Sequence, residues 1–317
     1  MNKTIKILII GYGSIGQRHY KNLISLGFNN VYVYDTEKSK VKNQKSKVDN
    51  LDLKTLKQFD VVFVCSPNNL HIQHALNAAQ AGCHLFIEKP LSHNLSGIEK
   101  LQKLCQKNKL INMIACNMRF YPCLDFIKNY LEKNKLGKIY SIHHEVGCYL
   151  PYWRPGQDYR KNYAAKKKTG GGIILDGIHE FDLLFWLNGF EKVVESKFVF
   201  GKAGDLKIET EDSCIAAFKF KNKTLGSVRC DYLQQVYSRS CKIVGEKGNL
   251  EWDFNENTVW LYAKSKSKKL FEIKNYDLNQ MYIDEVKYFF NCVNKNENTF
   301  NDINTAKEVL KYCVNRK

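Results

Sequence analysis

The 317-residue sequence predicts an α/β protein in two parts. An amino-terminal doubly wound parallel sheet is followed by an α/β domain built on a large, mainly antiparallel sheet. Three observations carry this. Short apolar strands alternate with helical stretches through the first third. From residue 193 to 273 strand-like runs follow one another with no helix between them. The length is about twice that of a typical domain, which favours two cores over one.

The strand candidates of the first third are residues 5–10, 31–34, 61–65, 84–87 and 112–115, and the helix candidates between them are 14–26, 71–81 and 96–108. Leu70, His71, His74, Ala75 and Ala78 recur at the three-to-four spacing of an amphipathic helix. The run 61–65 is apolar on both faces, as a strand buried between two helix layers must be. The pattern changes near residue 118 and sets the domains at 1–118 and 119–317, with the last helix expected to pack back on the first. A helix at 122–133 stops before Gly137, and a strand spans 138–147. A loop rich in aromatic and basic residues leads to a helix over 172–187. Strands at 214–220, 226–233 and 240–244 are separated by Gly, Asn, Asp or Lys turns, and helices at 278–294 and 301–314 close the chain. No internal repeat is found.

Composition excludes several classes. Hydrophobic residues make up 44% and charged residues 26%, with only 5 prolines, so the chain is expected to fold throughout. Its apolar runs fall far short of the roughly 20 residues that span a bilayer, so no membrane helix is expected. Met1-Asn2-Lys3-Thr4 leads straight into a strand-like run, not into a leader, which predicts a soluble cytoplasmic protein. The 11 cysteines are odd in number and form no Cys-x-x-Cys pair, so reduced core thiols are expected and neither disulfides nor a metal site. The net charge of +17 raises the question of anionic partners. Lysines such as Lys38, Lys40, Lys42, Lys45 and Lys47 are spread among Asn, Ser and Asp and read as solvated surface. Neither nucleic acid nor membrane is an expected partner; attraction of an anionic substrate is the lesser reading.

Gly11-Tyr12-Gly13-Ser14-Ile15-Gly16 is a G-x-G-x-x-G directly after the first strand, opening a helix at Ser14 and Ile15. Gly11 permits the tight turn, Gly13 lets the backbone approach a pyrophosphate, and Gly16 allows close packing of helix on strand. The helix amino end offers unpaired N–H groups to the phosphates. Asp35 ends the second strand, where a ribose-binding carboxylate is expected. It selects NAD over NADP, because a 2′-phosphate within about 4 Å of the carboxylate would cost on the order of 4 kcal/mol per charge pair. Lys38 and Lys40 are close enough in sequence to weaken that preference by reaching a phosphate.

With Glu88-Lys89-Pro90 at the end of the fourth strand, the sequence resembles the Gfo/Idh/MocA oxidoreductases, and the resemblance covers nearly the whole chain. It rests on Gly11 to Gly16, on Ser66-Pro67-Asn68 with His71 following, on Ala81-Gly82-Cys83-His84 leading to Glu88-Lys89-Pro90, and on Gly170-Gly171-Gly172 leading to Asp176 and His179. The resemblance implies a Rossmann-type domain and a second α/β domain whose open sheet mediates a homo-oligomer, a dimer or tetramer. It implies cofactor contacts from Ser66, Pro67, Asn68, His71, Glu88 and Lys89. It also implies hydride transfer at a carbinol or carbonyl carbon of a sugar, cyclitol or sugar nucleotide. One departure is that Asp176 and His179 are three positions apart where many members have four. The stretch from Tyr149 to Tyr163 looks like a subgroup connected with bacterial surface sugars.

Oxidising a secondary alcohol requires a hydride acceptor, a base and a group that stabilises developing charge on oxygen. Lys89, at the carboxyl end of a parallel strand, stands where open α/β sheets bind ligands, and its ammonium suits the reacting oxygen. Pro90 fixes the turn that aims it. His179 exchanges a proton near neutrality, and Asp176, one turn earlier, pairs with Lys89 or orients His179. Glu180 and Asp182 stand out in the same apolar segment, with salt bridging as the plainer reading. His71 and His74 have a spacing that suits a metal but lack a third ligand, so a structural role is expected. For the substrate, Tyr149, Trp153, Tyr159 and Tyr163 offer aromatic faces, while Arg154 and Arg160 offer planar forks for carboxylate or phosphate. Two rivals keep the fold: a cofactor-binding regulator without catalysis, and an enzyme in which hydride transfer is transient, as in epimerisation or elimination.

Overall fold

Four consecutive aliphatic residues, Ile7–Ile10, are at most 1% exposed and form β1, an interior strand of the first sheet. The structure is a computed structural model that describes residues 4–42, 44 and 46–316. Met1, Asn2, Lys3, Asn43, Lys45 and Lys317 lie outside the described residues. With them lie the first three residues of the expected leaderless start and one lysine of the 38–47 run.

Contacts divide the chain into two units, residues 1–117 with 278–314 and residues 118–277 with 315–317. In the first, β1 is followed by α1 (Ser14–Ser25), β2 (Val31–Tyr34), the single turns α2 (Lys38–Val41) and α3 (Leu53–Leu56), and β3 (Val61–Val64). Then come α4 (His71–Ala81), β4 (His84–Glu88), α5 (Ile98–Lys107) and β5 (Asn112–Ala115). All five strands are parallel, in the order β2-β1-β3-β4-β5. Every residue of β3 is 0% exposed, as its two apolar faces require. Phe63 of β3 stacks on Phe86 of β4 with centroids 4.4 Å apart, and burying each such ring stabilises the unit by roughly 1.5–3 kcal/mol.

The second unit opens with α6 (Pro122–Glu132), β6 (Ile139–Tyr149) and the turn α7 (Leu150–Trp153), then α8 (Ile173–Asp176) and α9 (Ile178–Leu187). The strands β7 (Val193–Gly201), β8 (Ser213–Phe220), β9 (Leu225–Asp231), β10 (Leu233–Gly245), β11 (Gly248–Asp253), β12 (Thr258–Ala263) and β13 (Lys266–Glu272) follow. With β6 they make an eight-stranded sheet in the order β13-β12-β11-β10-β6-β9-β8-β7. It is antiparallel except where β6 pairs with β9. One face is covered by α6, α8 and α9, with Phe181 and Phe185 of α9 packed on Phe218. The opposite face is open: Val199 and Ile215, directly paired across β7 and β8, are 76% and 56% exposed. The outer strand β13 carries Lys266, Lys268 and Lys269, all exposed.

The last helices, α10 (Gln280–Lys295) and α11 (Ile303–Val314), belong to the first unit. Between them Asn301 completes the edge of β5. Its carbonyl accepts from the Ile114 N–H and its side-chain amide donates to the Ile114 carbonyl, each at 2.8 Å, so a buried edge is left with its backbone groups satisfied.

Two expectations change. The helix over 172–187 is broken at Gly177 into α8 and α9. A Cβ at Gly177 would stand 2.9 Å from the Ile173 carbonyl and 3.2 Å from Cys230 Cβ, so the glycine lets this turn lie against β9. The strand expected at 240–244 is the carboxyl half of β10, whose register shifts between Leu233 and Ser238. That irregularity interrupts the alternation a sequence reading depends on. Among the described residues no helix is long and apolar enough to cross a membrane.

Candidate active site

In the first unit the site is made mostly by backbone. Gly11 has φ +97°, and a Cβ there would lie 2.5 Å from the Cys65 carbonyl and 2.7 Å from the Ser66 nitrogen. A Cβ on Gly16 would meet the Gly11 carbonyl at 2.0 Å. Both glycines are therefore needed for the chain to close on itself. Gly13 differs, because a Cβ there would meet nothing within 4 Å. The space over Gly13 is open at the amino end of α1, where Ser14 is exposed and Ile15 half-buried. A diphosphate fits there, since the helix presents N–H groups and partial positive charge.

Asp35 follows β2 and is 8% exposed. Its Oδ2 accepts from the Tyr12 N–H at 2.7 Å and its Oδ1 from the Glu37 N–H at 2.8 Å, which pins the carboxylate to the glycine turn. The nearby ammonium groups lie on the surface. Lys40 pairs with Glu37 at 2.6 Å, and Lys38 donates to the Asp49 carbonyl at 3.1 Å. Both lysines thus have anionic or carbonyl partners of their own.

Ser66 and Pro67 follow β3, and Asn68 opens a single 3₁₀ turn and is buried. His71, the first residue of α4, is 1% exposed and joins two turns: Nε2 lies 2.8 Å from the Ser66 carbonyl and Nδ1 2.7 Å from the Pro90 carbonyl. Burial pushes its imidazole below the ordinary value, against the pull of the two carbonyls and Glu88. His74, which bonds the Ser66 hydroxyl at 2.9 Å, is pushed by burial down to about 4. No group of three or more metal-ligating side chains is present among the described residues. Glu88, the last residue of β4, is engaged by His19 Nε2 at 2.6 Å and by the Lys89 N–H at 3.2 Å. Lys89 is half-buried, and its peptide bond to Pro90 is cis. The structure thus gathers Gly11 to Gly16, Asp35, Ser66 to Asn68, His71, Glu88 and Lys89 along the carboxyl ends of one parallel sheet, where such sheets bind ligands.

In the second unit the site is made by side chains. Short helix α8 is begun by Glu211, whose carbonyl accepts from the Ile173 N–H at 3.2 Å. At its end Asp176 is 7% exposed. Asp176 Oδ1 accepts from the Tyr163 hydroxyl at 2.7 Å, and Oδ2 from the Tyr232 hydroxyl. Burial and the adjacent carboxylate push the Tyr232 phenol well above its ordinary value, so it keeps its proton and donates. Arg154 lies 5.6 Å over the Tyr163 ring, and the Trp153 ring centroid is 6.0 Å from that of Tyr232. Trp153, Arg154, Tyr163 and Asp176 therefore form one cluster around Tyr232. His179, buried at the start of α9, stands across the Gly177 break from Asp176. Tyr149 packs edge-on against Tyr152 at 4.7 Å.

Tyr159 and Arg160 have other partners. The Tyr159 hydroxyl accepts from the Lys207 N–H at 3.2 Å, and Arg160 is held bidentately by Asp158 at 2.8 and 2.9 Å. The acidic residues of α9 are structural. Asp182 takes a two-point bond from buried Arg119 at 2.8 and 2.6 Å, and Glu180 pairs with Arg239 at 2.7 Å. Sequence reasoning missed Tyr232, for nothing in Cys230-Asp231-Tyr232 distinguishes it from an ordinary strand end. It also missed His19, one turn beyond the glycine motif.

Two family models match: residues 5–116 match the oxidoreductase family with an NAD-binding Rossmann fold, and residues 125–251 match the C-terminal domain of the same Gfo/Idh/MocA proteins. The chain is a member of the Gfo/Idh/MocA family. Myo-inositol 2-dehydrogenase of Thermotoga maritima is 28% identical to it, over 92% of this chain and 89% of that protein. Among solved structures, a levoglucosan dehydrogenase in complex with NADH superposes with a TM-score of 0.83 at 17% identity, covering 98% of this chain and 95% of that one. The UDP-N-acetylglucosamine 3-dehydrogenase of Acidithiobacillus ferrooxidans gives 0.80 at 20% identity, covering 98% and 96%. These two likenesses establish the fold: a parallel five-stranded sheet and a large, mostly antiparallel sheet. As a member of this family the protein is an NAD-dependent oxidoreductase, an enzyme among sugar, cyclitol and sugar-nucleotide dehydrogenases.

Proposed function

We propose that the protein oxidises a carbinol carbon of a sugar or sugar nucleotide, or reduces the corresponding carbonyl, and that its substrate belongs to the synthesis of surface-polysaccharide sugars. The observation that carries the reading is Asp176, a buried carboxylate fixed by two tyrosine hydroxyls within a cluster that also offers Trp153 and Arg154. Aromatic faces stack on the apolar side of a sugar ring, and a guanidinium reads an acidic or phosphorylated substituent.

NAD, when bound, supplies the acceptor for the hydride that leaves the carbinol carbon. His179 takes the hydroxyl proton as the carbon–oxygen double bond forms, and returns one in the reverse direction. Lys89 donates a hydrogen bond to the same oxygen and stabilises its developing negative charge. Asp176 holds the polar end of the substrate in register, its own orientation set by Tyr163 and Tyr232. Glycines 11, 13 and 16, with Ser14 and Ile15, hold the diphosphate and Asp35 the ribose, while Ser66, Pro67, Asn68, His71 and Glu88 line the rest of the cofactor site. Tyr149 and Tyr163 complete the substrate side, while Tyr159 and Arg160 are engaged by Lys207 and Asp158.

The reading extends to the setting. The open face of the eight-stranded sheet, with Val199 and Ile215 exposed, is the surface through which a homodimer or tetramer forms. None of the eleven cysteines forms a disulfide and ten are buried, and burial pushes Cys83, Cys105, Cys123 and Cys148 up to about 12. Such a set of thiols suits the reducing cytoplasm.

The experiment adds myo-inositol, levoglucosan or UDP-N-acetylglucosamine to protein with NAD and follows absorbance of the reduced nicotinamide. Turnover of one is expected, and Lys89→Ala and His179→Ala should each cut it by about 100-fold or more while NAD still binds. Unchanged turnover in both variants refutes the assignment. Cofactor that stays bound through purification, with no net reduction, points instead to transient hydride transfer.

A further inference from the structure

Both chain neighbours of Lys89 are held by buried imidazoles. On the upstream side, Glu88 Oε1 lies 2.6 Å from Nε2 of His19, a residue of α1 that is 0% exposed. The His19 ring is enclosed by Phe63, Phe86 and Tyr282, with centroids at 5.5, 5.1 and 6.2 Å. Its other nitrogen, Nδ1, is buried with no hydrogen-bond partner among the described residues. The second Glu88 oxygen accepts from the backbone N–H of Lys89 itself at 3.2 Å. On the downstream side, the Pro90 carbonyl lies 2.7 Å from Nδ1 of His71, whose Nε2 is 2.8 Å from the Ser66 carbonyl.

We propose that His19 and His71 are positioning residues, a two-point brace that fixes the backbone on either side of Lys89 and so aims its ammonium. The proposal rests on Lys89 as an active-site residue. Space filling alone does not account for these imidazoles. Burying a polar ring costs roughly 1–3 kcal/mol unless it is hydrogen-bonded, and Leu or Phe would fill the same apolar volume without that cost. Each ring instead sets one nitrogen on a residue adjacent to Lys89, His19 Nε2 on the Glu88 carboxylate and His71 Nδ1 on the Pro90 carbonyl. The brace also reaches the cofactor turn. His19 stands on the helix whose amino end faces the diphosphate, and Ser66 belongs to the segment that Gly11 packs against. A shift of the glycine turn on binding NAD is therefore transmitted through both histidines to Lys89.

The test needs no substrate. The rate at which an amine-specific reagent labels Lys89 is measured by peptide mass spectrometry with and without saturating NAD, in the wild type, His19→Gln and His71→Asn. NAD affinity and melting temperature are measured in parallel. In the wild type, NAD should change the labelling rate of Lys89 by about threefold or more. In each variant, compared at the NAD concentration that saturates that variant, the response should fall by half or more. A brace that is only structural would lower the melting temperature and leave the NAD response of Lys89 intact, and this result overturns the proposal. A wild-type Lys89 indifferent to NAD would overturn the active-site reading beneath it. Should His19→Gln fail to fold, His71→Asn decides alone, since it alters only one ring at the start of α4.

Discussion

The candidate site residues of the two units are specified in different ways. Around the glycine turn the requirements are backbone requirements: a positive φ at Gly11, no room for a side chain at Gly11 or Gly16, and open space over Gly13. Around Asp176 the requirements are met by side chains that are distant in sequence, Tyr163 at 13 positions and Tyr232 at 56. A backbone site is carried by a short contiguous motif, whereas a side-chain site exists only after a strand, a loop and two short helices have come together. The first tolerates change in its surroundings; the second depends on them.

Three measurements probe this contrast. The largest effect is expected in the second unit under acid. His144 of β6 is 2% exposed, and neither ring nitrogen has a hydrogen-bond partner among the described residues. Burial, helped by the Arg239 charge, holds it down at about 3, against 6.5 for a free imidazole. The unfolded chain therefore binds a proton at His144 that the folded one refuses. The stability it contributes is complete above pH 6.5 and is lost as pH falls toward 3, by up to about 1.4 kcal/mol per pH unit. Urea midpoints at pH 7 and pH 5 should show the loss, and His144→Leu should flatten it; an unchanged slope in the variant would assign the acid sensitivity elsewhere.

Next in size is Tyr232→Phe. It removes one of the two hydroxyls on Asp176 while keeping the ring, and should lower kcat/KM by about tenfold, or 1.4 kcal/mol, with NAD binding unaffected. A variant as active as the wild type would show that Tyr163 holds Asp176 unaided. Smallest in stability is Gly13→Ala, which meets no neighbouring atom and should shift the fold by only about 0.5 kcal/mol. Its NAD affinity, read by fluorescence titration, should nonetheless fall, because the added methyl occupies space the diphosphate needs.

Most of the first unit was legible in the sequence because buried parallel strands read as continuous apolar runs. The segments at 31–34, 71–81 and 112–115 have the bounds expected of them. The second unit was legible in class and less so in detail. The shift in β10 hides its first half, and Gly177 gave no hint that it would divide a helix, since an isolated glycine in an apolar helical pattern is compatible with continuity. Asp176 and His179 stood out because carboxylates and imidazoles are rare in so apolar a segment. So did Glu180 and Asp182, and composition cannot separate the two pairs; only Arg119 and Arg239, brought up by the fold, mark the latter as structural. His19 was invisible for the converse reason, since its partner Glu88 lies 69 residues away.

The outermost strand of the large sheet has a consequence for the protein in a crowded cell. β13 leaves one row of peptide groups without a neighbour, the kind of rim on which a stray copy can dock and seed fibrous growth. Lys266 and Lys268 stand on that rim, with Lys269 paired to Glu272 at 3.2 Å, so an approaching twin meets like charges before it can form its first bond. The surplus of positive charge is, at this strand, a guard against polymerisation.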